Sequence, residues 1–208
     1  MKMLIVIVLF GLLAVCERPP SGNSDHSAHD HANANVNERT MDHSKMESSP
    51  GAASAPQELQ FIDTMIAHHE GAIEMALLVN NRSRRPEMQE LAGGILDAQR
   101  GEVDKMREWR KKWFGDAKPA VNLDLPGMHT GMSGMDLKKL ELLKANEFDV
   151  EFLKQMIPHH EGAIEMAKAL SPADKYPELI ELRKAIIRTQ TAEIAKMKAW
   201  LMVWSVSK

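Results

Sequence analysis

MIAHHEGAIEMA at residues 65–76 returns as MIPHHEGAIEMA at residues 156–167, with Ala67 against Pro158 the one difference. A doubled His-His with Met on both sides sets nitrogen and thioether donors at fixed helical spacing. Finding it twice makes helix filler a poor account. The step of 91 residues from His68 to His159 also links Phe61 to Phe152, Pro86 to Pro177, Gln99 to Gln190, Glu102 to Glu193, Met106 to Met197 and Trp109 to Trp200. A constant offset held over about fifty residues marks two copies of one structural unit. Each unit reads as helix, turn, helix, so two of them supply the four helices that close one core. The expected fold class is therefore all-α, a four-helix bundle made of two repeated helix-turn-helix units.

Outward from the repeat, the first helix should run from Gln57 to about Asn80. Pro86 suits the first turn of a second helix ending near Phe114. A third should start near Asp136 and continue through Ala169, and a fourth should follow Pro177 to about Trp204. Pro158 lies inside the third, where it removes a backbone donor and crowds the carbonyl of Lys154, so a kink is expected. The chain then divides into helix-pair repeats at residues 57–114 and 136–204, joined by a Gly- and Pro-marked linker at 115–135. Residues 17–56 are polar, without period, and read as a disordered tether. Its His26, His29, His31 and His43, with Met41 and Met46, are either a loose metal-holding set or incidental residues of a polar linker.

At the start of the chain, Lys2 precedes an apolar run from Leu4 to Val15 that is short for a membrane span and resembles a secretory signal. Leu13-Ala14-Val15-Cys16 is similar to a bacterial lipobox, although Val15 stands where a small residue is usual. Residues 1–16 are thus expected to be a signal peptide, open to the lipoprotein type through Cys16. An uncleaved N-terminal anchor is the other account. Either places the rest of the chain in the periplasm or cell envelope, touching the membrane through its N-terminus only. The single cysteine excludes an internal disulfide framework. A net charge of −3 gives no reason to expect nucleic acid.

A turn of about 100° per residue sorts the helix faces. On the first helix Phe61, Met65, Ala72 and Val79 point to the core, and Asp63, Glu70 and Glu74 point to solvent. His68 and His69 straddle the core direction, Met65 neighbours both, and Met75 lies on the His68 flank. Met156, His159, His160 and Met166 repeat the set. On the second helix Glu102 falls near the middle of a stripe made by Met88, Leu91, Ile95, Met106, Trp109 and Trp113, with Gln99 at its edge. Gln190, Glu193 and Met197 repeat that pattern on the fourth. A carboxylate at a core position is costly without a partner, and the imidazoles or a metal are the obvious ones. Gly71 and Gly162 fall near the charged flank, where each costs roughly 1 kcal/mol against Ala; close approach of a neighbouring helix or a ligand is one account.

Fifteen Met against five Phe and one Tyr is either a plastic helical core or a store of soft ligands. Thioether with imidazole favours Cu(I), and by extension Ag(I), whereas His with Glu also suits Zn(II), Cu(II) or iron. The linker adds Met128, His129, Met132 and Met135 in the run GMHTGMSGM, which is either similar to Met-rich segments of copper carriers, suited to capture and release if flexible, or a Gly-rich linker with incidental Met. The HHE string suggests a hemerythrin-like centre, but Glu70 and Glu161 fall on the solvent face. A ferritin-like di-metal centre would need Glu-x-x-His, absent at both His pairs; Glu102 and Glu193 keep that oxidoreductase open.

F-I-D-T-M-I-A-H-H-E-G-A-I-E-M-A, followed by Q-R-G-E-V-D-K-M-R-E-W, resembles the bacterial domain-of-unknown-function family number 305. F-L-K-Q-M-I-P-H-H-E-G-A-I-E-M-A and Q-T-A-E-I-A-K-M-K-A-W carry the resemblance in the second copy, so it covers about Gln57 to Trp204. It implies an exported, ferritin-like four-helix bundle, some of whose relatives are periplasmic copper-binding and copper-resistance proteins. Carried over, the ligand positions are His68, His69, His159 and His160, with Met65, Met75, Met156 and Met166 beside them. Gln99, Glu102, Met106, Gln190, Glu193 and Met197 are expected as supporting groups or further ligands. The expected function is copper binding in homeostasis or resistance, with the metal ion and a copper exporter or chaperone as partners. A di-metal oxidoreductase and a metal-free scaffold stay open, as does whether the two His clusters share one site.

Overall fold

The computed structural model describes residues 46–171 and 176–206, and every regular element among them is helical. Four long helices carry the fold: α1 (Gln57–Arg82), α2 (Pro86–Phe114), α5 (Ala145–Ala169) and α6 (Pro177–Trp204). Two short ones, α3 (Met128–Met132) and α4 (Leu137–Leu142), lie between the pairs. Pro86 and Pro177 occupy the first turns of α2 and α6, where a missing N–H costs nothing. The helix pairs α1–α2 and α5–α6 pack internally, and α1 meets α5 between them. No described helix is long and apolar enough to cross a membrane. The expected signal segment with Cys16, and His26, His29, His31, His43 and Met41, lie outside the described residues.

The core is not continuous. One apolar cluster gathers Met75, Val79, Met88, Ile95, Phe148, Phe152, Met156 and Met197. A second gathers Phe61, Met65, Met106, Met128, Met166, Leu179 and Ile186. Along each long helix the residues between the two clusters are polar: His68 and His69 on α1, Gln99 and Glu102 on α2, His159 and His160 on α5, Gln190 and Glu193 on α6. A polar layer thus crosses the middle of the bundle.

Three expectations need correction. The third helix is two: it breaks at Leu143 and Lys144, whose backbones are extended. Arg85, in the α1–α2 turn, fixes where α5 begins by donating to Asp149 (3.0 Å) and Asn146 (2.9 Å) while its guanidinium covers the Trp204 ring at 4.4 Å. That frees Leu137 and Leu140 of α4 to fold onto the first cluster. Through Pro158, in contrast, α5 runs unbroken.

Asp63 does not face solvent; it is 7 % exposed. Its carboxylate accepts from Arg110 (2.7 Å) and from the backbone N–H of Ala120 (2.8 Å), because the linker after α2 returns over α1. Asn122 continues that seam, its N–H donating to Thr64 and its amide to Gln60. Lys154, one step of 91 later, is exposed, so the two repeats differ here. Finally, residues 46–56 of the expected tether are folded. The Ser49 N–H donates to the Val121 carbonyl (2.8 Å), Ala52–Ser54 form a 3-10 turn, and Met46 packs on the second cluster.

Candidate metal centre

All four imidazoles of the two His-His pairs are fully buried. On α1 and α5 the first His of each pair turns inward to meet its counterpart, and the rings of His68 and His159 lie 3.8 Å apart, tilted by 42°. The second His of each pair turns toward its own partner helix. His69 Nε2 lies 2.8 Å from Glu102 Oε2 of α2, and His160 Nε2 lies 2.8 Å from Glu193 Oε2 of α6. The 33-residue spacing recurs in both pairs, so the duplication extends to the hydrogen bonds.

These contacts dictate tautomers. A carboxylate accepts, so the Nε2 of His69 and of His160 carries the hydrogen. His159 Nε2 lies 3.1 Å from the carbonyl oxygen of His68, and a carbonyl also only accepts. Burial, reinforced by the neighbouring rings of His68, His160 and His69, holds His159 well below the ordinary imidazole value of 6.5. His159 is therefore neutral, with a lone pair on Nδ1. The Nδ1 atoms of His69, His159 and His160 are all buried without a hydrogen-bond partner. So are Oε1 of Gln99 and Oε1 of Gln190. Each such atom costs about 1–3 kcal/mol in a finished protein. An ion coordinated by the lone pairs would offset that cost, so the donor set fits a metal.

Glu102 and Glu193 stand behind the imidazoles, as carboxylates that orient metal-bound His do. Gln99 (2 % exposed) is deeper than Glu102, whose side chain is 15 % exposed, the reverse of the wheel's order. The carboxylate leans to the rim, where water relieves its charge, and still reaches His69. Among the described residues, no three of His, Cys, Asp and Glu gather as a metal-holding group. The amide oxygens of Gln99 and Gln190 and the thioether sulfurs are the further donors near the layer.

The thioethers bracket the layer. Met65 and Met106 of the first repeat share a cluster with Met166 of the second and Met128 of the linker. Met75 shares the other with Met156 and Met197. Met65 and Met75 thus fall on opposite sides of the His pair, each beside a methionine of the other copy, rather than forming one Met-His-His set per helix.

The linker is where sequence reasoning saw least. GMHTGMSGM is not loose chain: α3 packs on α5, Met128 and Gly131 are buried, Met132 and Met135 are half-buried, and His129 is exposed. A Cβ on Gly131 would lie 2.6 Å from Nε2 of His68, so the backbone there rests on the His ring. Gly162 is buried, and its Cβ would lie 2.4 Å from the Gly127 carbonyl oxygen and 2.7 Å from Gly131 Cα. Its partner Gly71 instead faces Met135, whose sulfur would lie 3.1 Å from a Cβ there. Repeated Gly in two helix interiors was the one available signal, and it marks close approach.

CopM in its Cu(II)-bound form is 38% identical with a TM-score of 0.61, the match covering 71% of this chain and 97% of that one. CopM in the Cu(I)-bound form is 37% identical (TM-score 0.60; 71% and 96%), and CopM co-crystallised with Ag is 35% identical (TM-score 0.59; 71% and 96%). No curated protein matches by sequence. The model of the family described as Domain of unknown function (DUF305) matches residues 58–201. With a helical bundle and two matched His-His units inside that span, the chain belongs to the DUF305 family.

Proposed function

We propose that this protein binds copper as Cu(I), takes Ag(I) in the same way, and serves copper homeostasis or resistance in the periplasm or cell envelope. The observation that carries the proposal is the set of three buried imidazoles whose Nε2–H is engaged and whose Nδ1 has no hydrogen-bond partner. Thioethers on both sides of that layer make it a soft site, favouring Cu(I) and Ag(I) over Zn(II) or iron. The Cu(I)-, Cu(II)- and Ag-bound forms of the similar CopM support the same choice. His69, His159 and His160 would ligate through Nδ1, and His68 with the methionines Met65, Met75, Met156 and Met166 would supply further donors on either side of the layer. Glu102 and Glu193 would orient the rings. Export through residues 1–16, with Cys16 carrying lipid, would place the protein where an exporter or chaperone delivers or collects the ion.

A metal-free scaffold is disfavoured because it leaves five buried polar atoms uncompensated. The test is anaerobic Cu(I) titration of the whole protein against a competing chelator, beside a variant with His68, His69, His159 and His160 all changed to Ala. Tight binding by the wild type, lost in the variant while its helical circular dichroism persists, is the expected result. Equal binding by both proteins would move the function out of the bundle.

A further inference from the structure

Two copies of one unit should offer two equivalent half-sites, and the linker prevents it. The matched glycines Gly71 and Gly162 do different work. Gly162 receives backbone: Gly127, which caps α3, and Gly131 within it lie so close that no side chain fits between. Gly71 receives thioethers: Cε and Sδ of Met135 would lie 2.9 and 3.1 Å from a Cβ there, and Cε of Met132 would lie at 3.4 Å. Gly71 is three residues after His68 on α1, so the two positions are neighbours on one helix face. The sulfur of Met135 therefore lies over the same face as the His68 ring, whose Nε2 is covered by Gly131. His159 is placed differently, its Nε2 donating to the His68 carbonyl.

The geometry points to Met132 and Met135 as thioether ligands that a strap, residues 127–135, brings to one side of the layer, making an asymmetric soft-metal site on His68. This inference rests on the copper reading and adds where the ion sits and what carries it in. Met132 and Met135 are half-buried, reaching solvent as well as the layer, while His68 is fully buried. An ion from outside meets sulfur first and imidazole second. The strap begins at Gly127 in a left-handed conformation (φ 85°), and its backbone hydrogen bonds are local ones, Met128 to Leu125, Gly131 to Gly127 and Met135 to Met132. Its far end is pinned where the Asp136 N–H donates to Gln155 (2.9 Å).

The test compares the full chain with Met132→Leu/Met135→Leu, His68→Ala and His159→Ala. Ag(I) and Cu(I) affinities are read by competition, and the sulfur count around Cu(I) by X-ray absorption. Leu conserves the volume of Met, so the melting temperature should hold. Loss of a supporting group at a metal site costs 10–100-fold in affinity, and a direct ligand at least that. The strap variant should therefore lose at least about tenfold and show fewer sulfur neighbours. His68→Ala should weaken binding at least about tenfold more than His159→Ala. Unchanged affinity and sulfur count in the strap variant, or equal losses in the two His variants, would overturn the asymmetric site. If the four-His variant then still abolishes binding, the copper reading stands without it. A wild type that binds neither ion would remove both.

Discussion

Replacing Glu102 by Gln tests whether the carboxylates act through the imidazoles. The change keeps the shape of the side chain and an acceptor 2.8 Å from His69 Nε2, and removes the charge. A hydrogen bond to a charged group contributes about 1.5–3 kcal/mol and one between neutral groups about 0.5–1.5. The difference, about 1–1.5 kcal/mol, is the loss expected when His69 Nδ1 gives electron density to a metal. Since about 1.4 kcal/mol is tenfold, Glu102→Gln should weaken Cu(I) binding about tenfold, within the range for groups behind metal-bound His. Glu193→Gln should match it, because His160 and Glu193 share the distance and the exposure. The double variant decides whether the pairs serve one ion. A shared ion loses about a hundredfold in the double variant; two independent ions each lose about tenfold, and each single variant keeps one site unaltered. Anaerobic chelator competition reads both affinity and stoichiometry. All three variants within twofold of wild type would refute the supporting role, and a thousandfold loss from one change would make the carboxylate a direct ligand.

Other substitutions separate packing from chemistry. Gly162→Ala should destabilise the fold by about 1–3 kcal/mol, because the new methyl meets backbone of the strap, whereas Gly71→Ala meets only the flexible ends of Met135 and Met132 and should fall within about 1 kcal/mol of wild type; urea denaturation compares them. Arg85→Ala strands the carboxylate of Asp149, which burial already pushes up against the opposing pull of Ser83 and Arg85, and should cost about 3 kcal/mol while altering Trp fluorescence at Trp204. An unaltered melting temperature would show that the clasp is idle. The metal-free protein should lose stability in acid. His159 stays neutral when folded, so below about pH 6.5 the unfolded chain takes up a proton the folded chain refuses. Its contribution is complete above that pH and declines by up to about 1.4 kcal/mol per pH unit until the folded ring titrates. Denaturant titrations at several pH values on wild type and His159→Asn isolate it; identical pH slopes would contradict the burial of a neutral ring.

Much of the fold was legible because long amphipathic helices declare themselves by period, and the 91-residue step tied α1 to α5 and α2 to α6. That Glu102 needs an imidazole or a metal as its partner followed from the same wheels, since a carboxylate on an apolar stripe demands one; that the partner is His69 came only from the fold. What escaped was tertiary. Asp63 sits on the polar arc of α1 and looks solvated until Arg110 and the Ala120 N–H arrive from 47 and 57 residues away. Nothing in LKKLELLKAN breaks a helix locally; the break at Leu143 follows from Arg85 holding Asn146 and Asp149. The glycines of residues 127–134 read as punctuation, and their order comes from Gly162 and His68, contacts that no local propensity encodes.

The strap has a consequence for how such a bundle arises. A single helix pair associating with a second copy of itself would have a true twofold axis between His68 and its mate, and no chain would cross the layer. Only when both pairs lie on one polypeptide does a connecting segment exist, and it can run over only one half of the structure. Fusion thus supplied a third donor source that self-association could not, and left one half of the bundle available to change without disturbing the other.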